Sequence, residues 1–141
     1  MAQDKLLDVE IITPQKVIFS GKAESVTVPG SQSAFQVLFN HAPIVSTLDP
    51  GIVKIVTSEN NKLYYAVQEG FAEVRNNKVS ILVDSAFDAS TIDINTVTEE
   101  LKSVTEELSH AENLDVKSNL KSRIKNIQNK IKAYNKQKGI V

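Results

Sequence analysis

The chain has 141 residues, 41% of them hydrophobic and 23% charged, with a formal net charge of −1. That is the balance of an ordinary globular protein, and it gives no global field that would attract nucleic acid or an anionic membrane. With no cysteine and only two histidines, disulfides, thiolate chemistry and a His-rich metal site are excluded.

The opening Met1-Ala2-Gln3-Asp4-Lys5 is polar and lacks the apolar run of a signal peptide. No stretch reaches the roughly 20 apolar residues that span a bilayer. A soluble chain is expected, whose membrane connection, if any, runs through a partner.

All four prolines and four of the five glycines precede residue 71, and neither occurs between Phe71 and Lys138. The first part is therefore punctuated and the second can run as long helices. Leu7, Val9 and Ile11 alternate with Asp8 and Glu10, the period of a half-buried strand, which Thr13-Pro14 ends. Val17-Ile18-Phe19 follows, and Ser20-Gly21 reads as a turn. Val26 and Val28 form the next face, closed by Pro29-Gly30. Phe35 to Leu38 is a further run, broken by Asn40-His41-Ala42-Pro43. Ile44 to Leu48 leads into Asp49-Pro50-Gly51, where Pro presets φ and Gly tolerates positive φ. Ile52 to Thr57, Leu63 to Val67, Phe71 to Arg75 and Val79 to Val83 complete the series. Short strands at such spacing predict a sandwich or barrel, and the absence of helical periods among them argues against βαβ units.

Near Asp88 the period changes. Ile94, Val97, Leu101, Val104, Leu108 and Ala111 form one narrow seam, and Val116, Leu120, Ile124, Ile127, Ile131 and Tyr134 form another. Asp93 and Asp115 are candidate N-caps. The break at Glu112-Asn113-Leu114 is short, which predicts an antiparallel pair. From Asp93 to Glu112 the net charge is −5, whereas Val116 to Lys138 holds eight bases and no acid. Opposite charge favours the pairing, but exposed ion pairs contribute only about 0–1 kcal/mol each. The seams carry more, and they are narrow, so the hairpin is expected to be marginal and able to detach. The fold class is α+β: an antiparallel β-sandwich over residues 1–87, then an antiparallel two-helix hairpin over residues 88–141.

Several phrases, in order, resemble one family. They are Leu7-Asp8-Val9-Glu10-Ile11-Ile12-Thr13-Pro14, Val17-Ile18-Phe19-Ser20-Gly21, Glu24-Ser25-Val26-Thr27-Val28-Pro29-Gly30-Ser31, His41-Ala42-Pro43 with Leu48-Asp49-Pro50-Gly51, Gly70-Phe71-Ala72-Glu73-Val74, Asn77-Lys78-Val79 and Val83-Asp84-Ser85-Ala86. Together they resemble the epsilon subunits of F-type ATP synthases over about residues 6 to 86, and the helical remainder agrees in architecture. The resemblance implies a non-catalytic rotor subunit of a proton-translocating synthase. Its sandwich would bind the gamma shaft and the c-subunit ring. Its hairpin would fold against the sandwich or extend toward the alpha/beta catalytic hexamer and inhibit ATP hydrolysis. The implied place is peripheral, on the cytoplasmic face of a bacterial membrane or its organelle-encoded equivalent.

Family position puts the ring contact at the loop Gly30, Ser31, Gln32, Ser33 and Ala34, and the shaft contact at His41, Ala42 and Pro43. Lys121, Arg123 and Lys125 are the candidates for meeting the catalytic subunits when the helices extend. The chain departs from the pattern at Gln36, where a glycine is usual, at Phe39-Asn40, where Pro-Gly is usual, and in the loop after Gly30, which has no acid. Some members bind ATP through an Ile/Leu-Asp-x-x-Arg-Ala motif. Ile92-Asp93 match it, but Thr96 and Val97 replace the Arg and Ala, and Phe87 stands where a glutamate is common. Without the arginine the phosphate contact is missing, so no cofactor is expected and ATP is disfavoured as a regulatory ligand.

Other functions fit less well. His41 has no nucleophile beside it in the pattern, so a hydrolase is not supported. His110 suits a helix C-terminus. The basic second helix lacks the aromatic interleaving of a nucleic-acid surface. The competing reading is a free-standing sandwich module that oligomerises through a coiled-coil tail.

Overall fold

The computed structural model describes residues 5–140; Met1–Asp4, which carry most of the polar opening, and Val141 lie outside the described residues. The strands are β1 (Leu7–Ile12), β2 (Val17–Val28), β3 (Phe35–Leu38), β4 (Ile44–Leu48), β5 (Gly51–Thr57), β6 (Lys62–Val67), β7 (Gly70–Arg75), β8 (Lys78–Val83) and β9 (Ala86–Asp88). A 3-10 turn (Ala89–Thr91) leads to the helices α1 (Ile94–His110) and α2 (Leu114–Lys138).

The strands hydrogen-bond in the order β4-β7-β8-β1-β2-β5-β6-β9, with β3 beside β2. This ribbon curls so that inward residues from both ends, such as Leu48, Val74, Val9, Val26, Ile55 and Val67, form one buried cluster. The expected sandwich and helix pair are present. Within the sandwich one pair, β1 and β8, runs parallel, with Val9 opposite Val79 and Ile11 opposite Ile81. Six strands intervene between these two, so no crossover helix is needed.

The expected turn at Ser20-Gly21 is instead the middle of β2, where Ser20 pairs with Glu10 and Gly21 with Val9. The Phe19 ring lies over Gly21: a Cβ there would sit 3.2 Å from Phe19 Cζ, so the ring would have to shift by a few tenths of an ångström to admit one. β2 is long because it serves both layers. Its first half pairs with β1 and its second half with β3, on one flank, while β5 runs along the other. An irregularity between Ala23 and Ser25 bends it.

β6 is covered on both faces. Leu63, Tyr65 and Val67 join the sandwich core, whereas Tyr64 and Ala66 face α2. The run Tyr64-Tyr65-Ala66-Val67 is correspondingly apolar without alternation. Residues 86–88 add a strand that the turn-based reading did not separate; it pairs with β6 through Ala66 and Phe87.

The helices pack through the expected seam. Val97, Val104, Leu120 and Ile127 are buried, with Leu101, Leu108, Ala111, Ile124 and Ile131 packed around them. Asp93 caps α1 by accepting from the Asn95 and Thr96 amides. The cap of α2 is Asn113 rather than Asp115: the Asn113 side chain accepts from Asp115 N and Val116 N. Asp115 lies in the first turn, where its charge suits the helix dipole. α2 ends at Gly139, which takes the left-handed conformation at φ 76°.

Candidate partner-binding site

Two loops predicted for different partners meet at one place. The segment after β2 turns back on β4: the Ser31 amide donates to Thr47 O at 2.9 Å, and the Asp49 amide donates to Pro29 O at 3.0 Å. Gly30 is required at this bend, because a Cβ would lie 2.6 Å from the Ser33 carbonyl oxygen. Ser31 Oγ donates to Asp49 Oδ1 at 3.0 Å. The loop itself carries no acid, yet Asp49, 18 residues on, places a carboxylate against its first serine. Ser31, Gln32, Ser33 and Ala34 are exposed.

The other loop, Asn40–Pro43, joins β3 to β4. His41 packs against Phe35 with ring centroids 6.3 Å apart, and its Nδ1 lies 2.7 Å from Ala42 O. A carbonyl can only accept, so Nδ1 carries the proton and Nε2 is left for a partner. Gln32 and Ser33 from the first loop and His41 from the second line one open groove of about 550 Å³, floored by Ile44 to Thr47 of β4. β4 is the terminal strand of the ribbon. Ile44 is 38% exposed and Val45 is 69% exposed, so the groove has an apolar wall beside polar loop atoms. A strand edge with exposed apolar side chains is a surface that folded proteins normally cover.

Lys121, Arg123 and Lys125 lie elsewhere, on the exposed side of α2. Arg123 approaches Glu100 of α1 at 3.7 Å, and both side chains are largely solvated. Among the described residues this is the only ion pair between the two helices, so the charge contrast expected from sequence acts as a diffuse field rather than as a set of bridges. Ile92 and Asp93 are both occupied structurally. Ile92 packs where the helix seam meets the sheet, and Asp93 is the α1 cap. His110 sits in the last turn of α1.

A docking surface between the two halves was missed from sequence. Ala66 of β6, Ala89 of the 3-10 turn and Ala133 of α2 form a small cluster with Ile52, Tyr64 and Ile92. Asn129 Nδ2 donates to Gly51 O at 2.8 Å and also approaches Val67 O at 3.3 Å. Lys130 Nζ stands 3.9 Å from the centroid of the Phe87 ring. The face of the Phe87 ring thus engages a cation. Small and polar residues at helical spacing, Asn129 and Ala133, make this second face of α2, and a search for apolar periods passes over it.

Among the described residues no group of His, Asp and Glu could hold a metal, and no helix is long and apolar enough to cross a membrane. Residues 6–89 match the family described as ATP synthase, Delta/Epsilon chain, beta-sandwich domain. The chain belongs to this family.

Relatives agree. The ATP synthase epsilon chain of Magnetococcus marinus is 41% identical over 92 residues, which is 65% of this chain and 66% of the relative. That of Leptospira borgpetersenii is 43% identical over 88 residues, covering 62% and 68%. The chloroplastic epsilon chain of Emiliania huxleyi is 35% identical over 99 residues, covering 70% and 75%. The matched stretch thus spans about two thirds to three quarters of these relatives. The same fold occurs in a chain of the Euglena gracilis mitochondrial ATP synthase, with a TM-score of 0.71 at 20% identity over 83% of this chain and 74% of that one. A chain of the Tetrahymena thermophila central stalk and c-ring structure gives 0.57 at 20% identity, covering 91% and 96%.

Proposed function

We propose that the chain is the epsilon subunit of a proton-translocating F-type ATP synthase, a non-catalytic part of the central stalk. Its sandwich joins the gamma shaft to the c-subunit ring, and its helices restrain ATP hydrolysis. The observation that carries this reading is the shared groove. Two loops assigned by family position to ring and shaft meet beside a sheet edge that the first loop pairs at its Thr47–Leu48 end and that exposes Ile44 and Val45, in a chain whose family is that of the delta/epsilon sandwich. Loop 30–34 takes the ring, and His41, Ala42 and Pro43 with the β4 edge take the shaft. Lys121, Arg123 and Lys125 meet acidic surface on the alpha/beta hexamer when the helices leave the sheet. Nucleotide has no part in this reading, because Asp93 is committed to its cap and Thr96 stands at the motif position of the arginine. The subunit works on the membrane side that bears the catalytic head, cytoplasmic in a bacterium.

The competing coiled-coil oligomer loses its main support, since α1 and α2 bury the seam against each other. We divide the chain into a coupling unit over residues 1–87 and a regulatory unit over residues 88–141.

The test is co-purification with a tagged gamma subunit, followed by ATPase measurement of the assembled complex. The full chain is compared with one ending after Thr91, a cut that spares β9. Both are expected to co-purify, with faster hydrolysis from the shortened form. Loss of co-purification by the full chain overturns the shaft assignment. Equal hydrolysis by the two complexes overturns the restraining role of the helices.

A further inference from the structure

The loop that carries His41 is held by a residue far away in sequence. Asn40 has φ 65°, the left-handed region that asparagine tolerates better than most residues. Its amide donates to Asn77 Oδ1 at 2.6 Å. In return, Asn77 Nδ2 lies 3.4 Å from Asn40 Oδ1. The two residues are 37 apart in the chain.

Asn77 is itself rigidly placed. It and Asn76, with φ 62° and 51°, form the two-residue turn between β7 and β8, with Arg75 opposite Lys78. Two positive-φ residues are what a tight hairpin of this twist requires. The Asn77 carbonyl then accepts from the Asp8 amide at 2.9 Å, which ties the turn to the start of β1. The Asn77 side chain is therefore a fixed post at the end of the sandwich, and the β3–β4 loop is hung on it. Otherwise the described backbone hydrogen bonding of that loop is a single short-range bond, His41 N to Leu38 O at 3.0 Å.

We infer that Asn77 is a positioning residue for partner binding: it presets the loop Asn40–Pro43 so that His41 and the β4 edge present one shape to the shaft. This rests on the assignment of that groove to the gamma subunit. A loop ordered in advance loses less conformational freedom on binding, and the complex is tighter by that difference. The family's usual Pro-Gly would stiffen the same loop through proline, and Phe39-Asn40 cannot. Here a side-chain clamp takes over the role of ring geometry.

The test uses the full chain and two variants. Asn77→Gly keeps the positive φ and removes the side chain. Asn77→Asp keeps the acceptor that the Asn40 amide uses. In Asn77→Gly, amide exchange at Asn40 should quicken by several-fold to about tenfold, as expected for one lost hydrogen bond. Affinity for purified gamma subunit should fall by about threefold to tenfold, with residues 5–30 and α2 as protected as before. Asn77→Asp should restore both readouts. Faster exchange at Asn40 with unchanged gamma affinity overturns the inference and leaves the function standing. Unchanged exchange at Asn40 overturns the clamp itself. Failure of the unaltered chain to bind gamma removes the functional reading and this inference with it. An affinity loss in Asn77→Gly that Asn77→Asp does not restore points to the turn rather than the clamp, and also overturns it.

Discussion

The sandwich and the helix pair are built to different standards of cohesion. Among the described residues, eighteen buried side chains share the sandwich core, drawn from all nine strands. Four hold the helix pair, and a separate cluster of three alanines joins the two units. Strand pairing also links distant parts of the chain, so the sandwich cannot lose one element without exposing the rest, whereas a helix keeps its backbone bonds wherever it goes. One chain can therefore carry a rigid body and a detachable one, provided that the detachable part rests on small contacts.

The sharpest way to break that comparison is to make the same kind of cut in each core. Ile81 is fully buried in β8. Ile81→Ala should cost about 2–5 kcal/mol and lower the main thermal transition, because the cavity lies in the cooperative unit. Ile127 is equally well covered, at 3% exposure in the helix seam. Ile127→Ala should leave the main transition nearly in place and instead speed amide exchange along α1 and α2. If both substitutions lowered one common transition equally, the division into two cores would be wrong.

A smaller effect is expected at the joint. Ala133 is fully buried against Ala66 and Ala89, where no room exists for a longer side chain. Ala133→Leu should cost about 1–3 kcal/mol of docking free energy by overpacking, without touching the α1–α2 seam. Ring signals of Tyr64, which faces this joint, should shift toward those of an exposed tyrosine while helix content is retained. An unmoved Tyr64 would show that the joint yields elsewhere, and that the alanines do not set the contact.

How much of this was legible depends on the kind of signal. The seam residues Val97, Val104, Leu120 and Ile127 were readable because apolar residues at three- and four-residue spacing fall on one face of a helix and on no single face of a strand. The ends of the seams were not: Val116 is 45% exposed, at the hairpin turn where the pair has only just begun. Gly21 looked like a turn because a glycine in a strand and a glycine in a turn have the same letter. Only the Phe19 ring above it distinguishes them. The sheet-facing side of α2 was hidden because Asn129 and Ala133 are chosen for smallness and hydrogen bonding, and neither property has a hydrophobic period. At the candidate site the loops 30–34 and 41–43 were put forward by family position, as what the resemblance implies. Their meeting over β4, the Asp49 carboxylate at Ser31 and the Asn40–Asn77 clamp are products of topology, which spacing along the chain does not encode.

The most modest prediction concerns pH and the sandwich alone. Tyr65 is 4% exposed, on the core side of β6 and 6.0 Å from Phe19 by ring centroids. Burial first, and the nearby Asp88 carboxylate second, push its hydroxyl up from 10.0 to about 12. Below pH 10 both folded and unfolded chains hold this proton, so Tyr65 adds no pH dependence. Between pH 10 and 12 the unfolded chain releases it first, so stability falls as pH rises, by an amount on the order of 2 kcal/mol across the window. The comparison is therefore made with a variant that differs in this hydroxyl alone. Tyr65→Phe keeps the ring and lacks the hydroxyl, so its denaturation midpoint should decline less steeply with pH than that of the unaltered chain. The gap between the two slopes isolates the one buried phenol. Helix-pair exchange rates should show no such gap, because Tyr65 belongs to the core of the strands. Equal slopes would mean that Tyr65 meets water in the folded state, and that the sandwich is looser on its β6 side than its burial indicates.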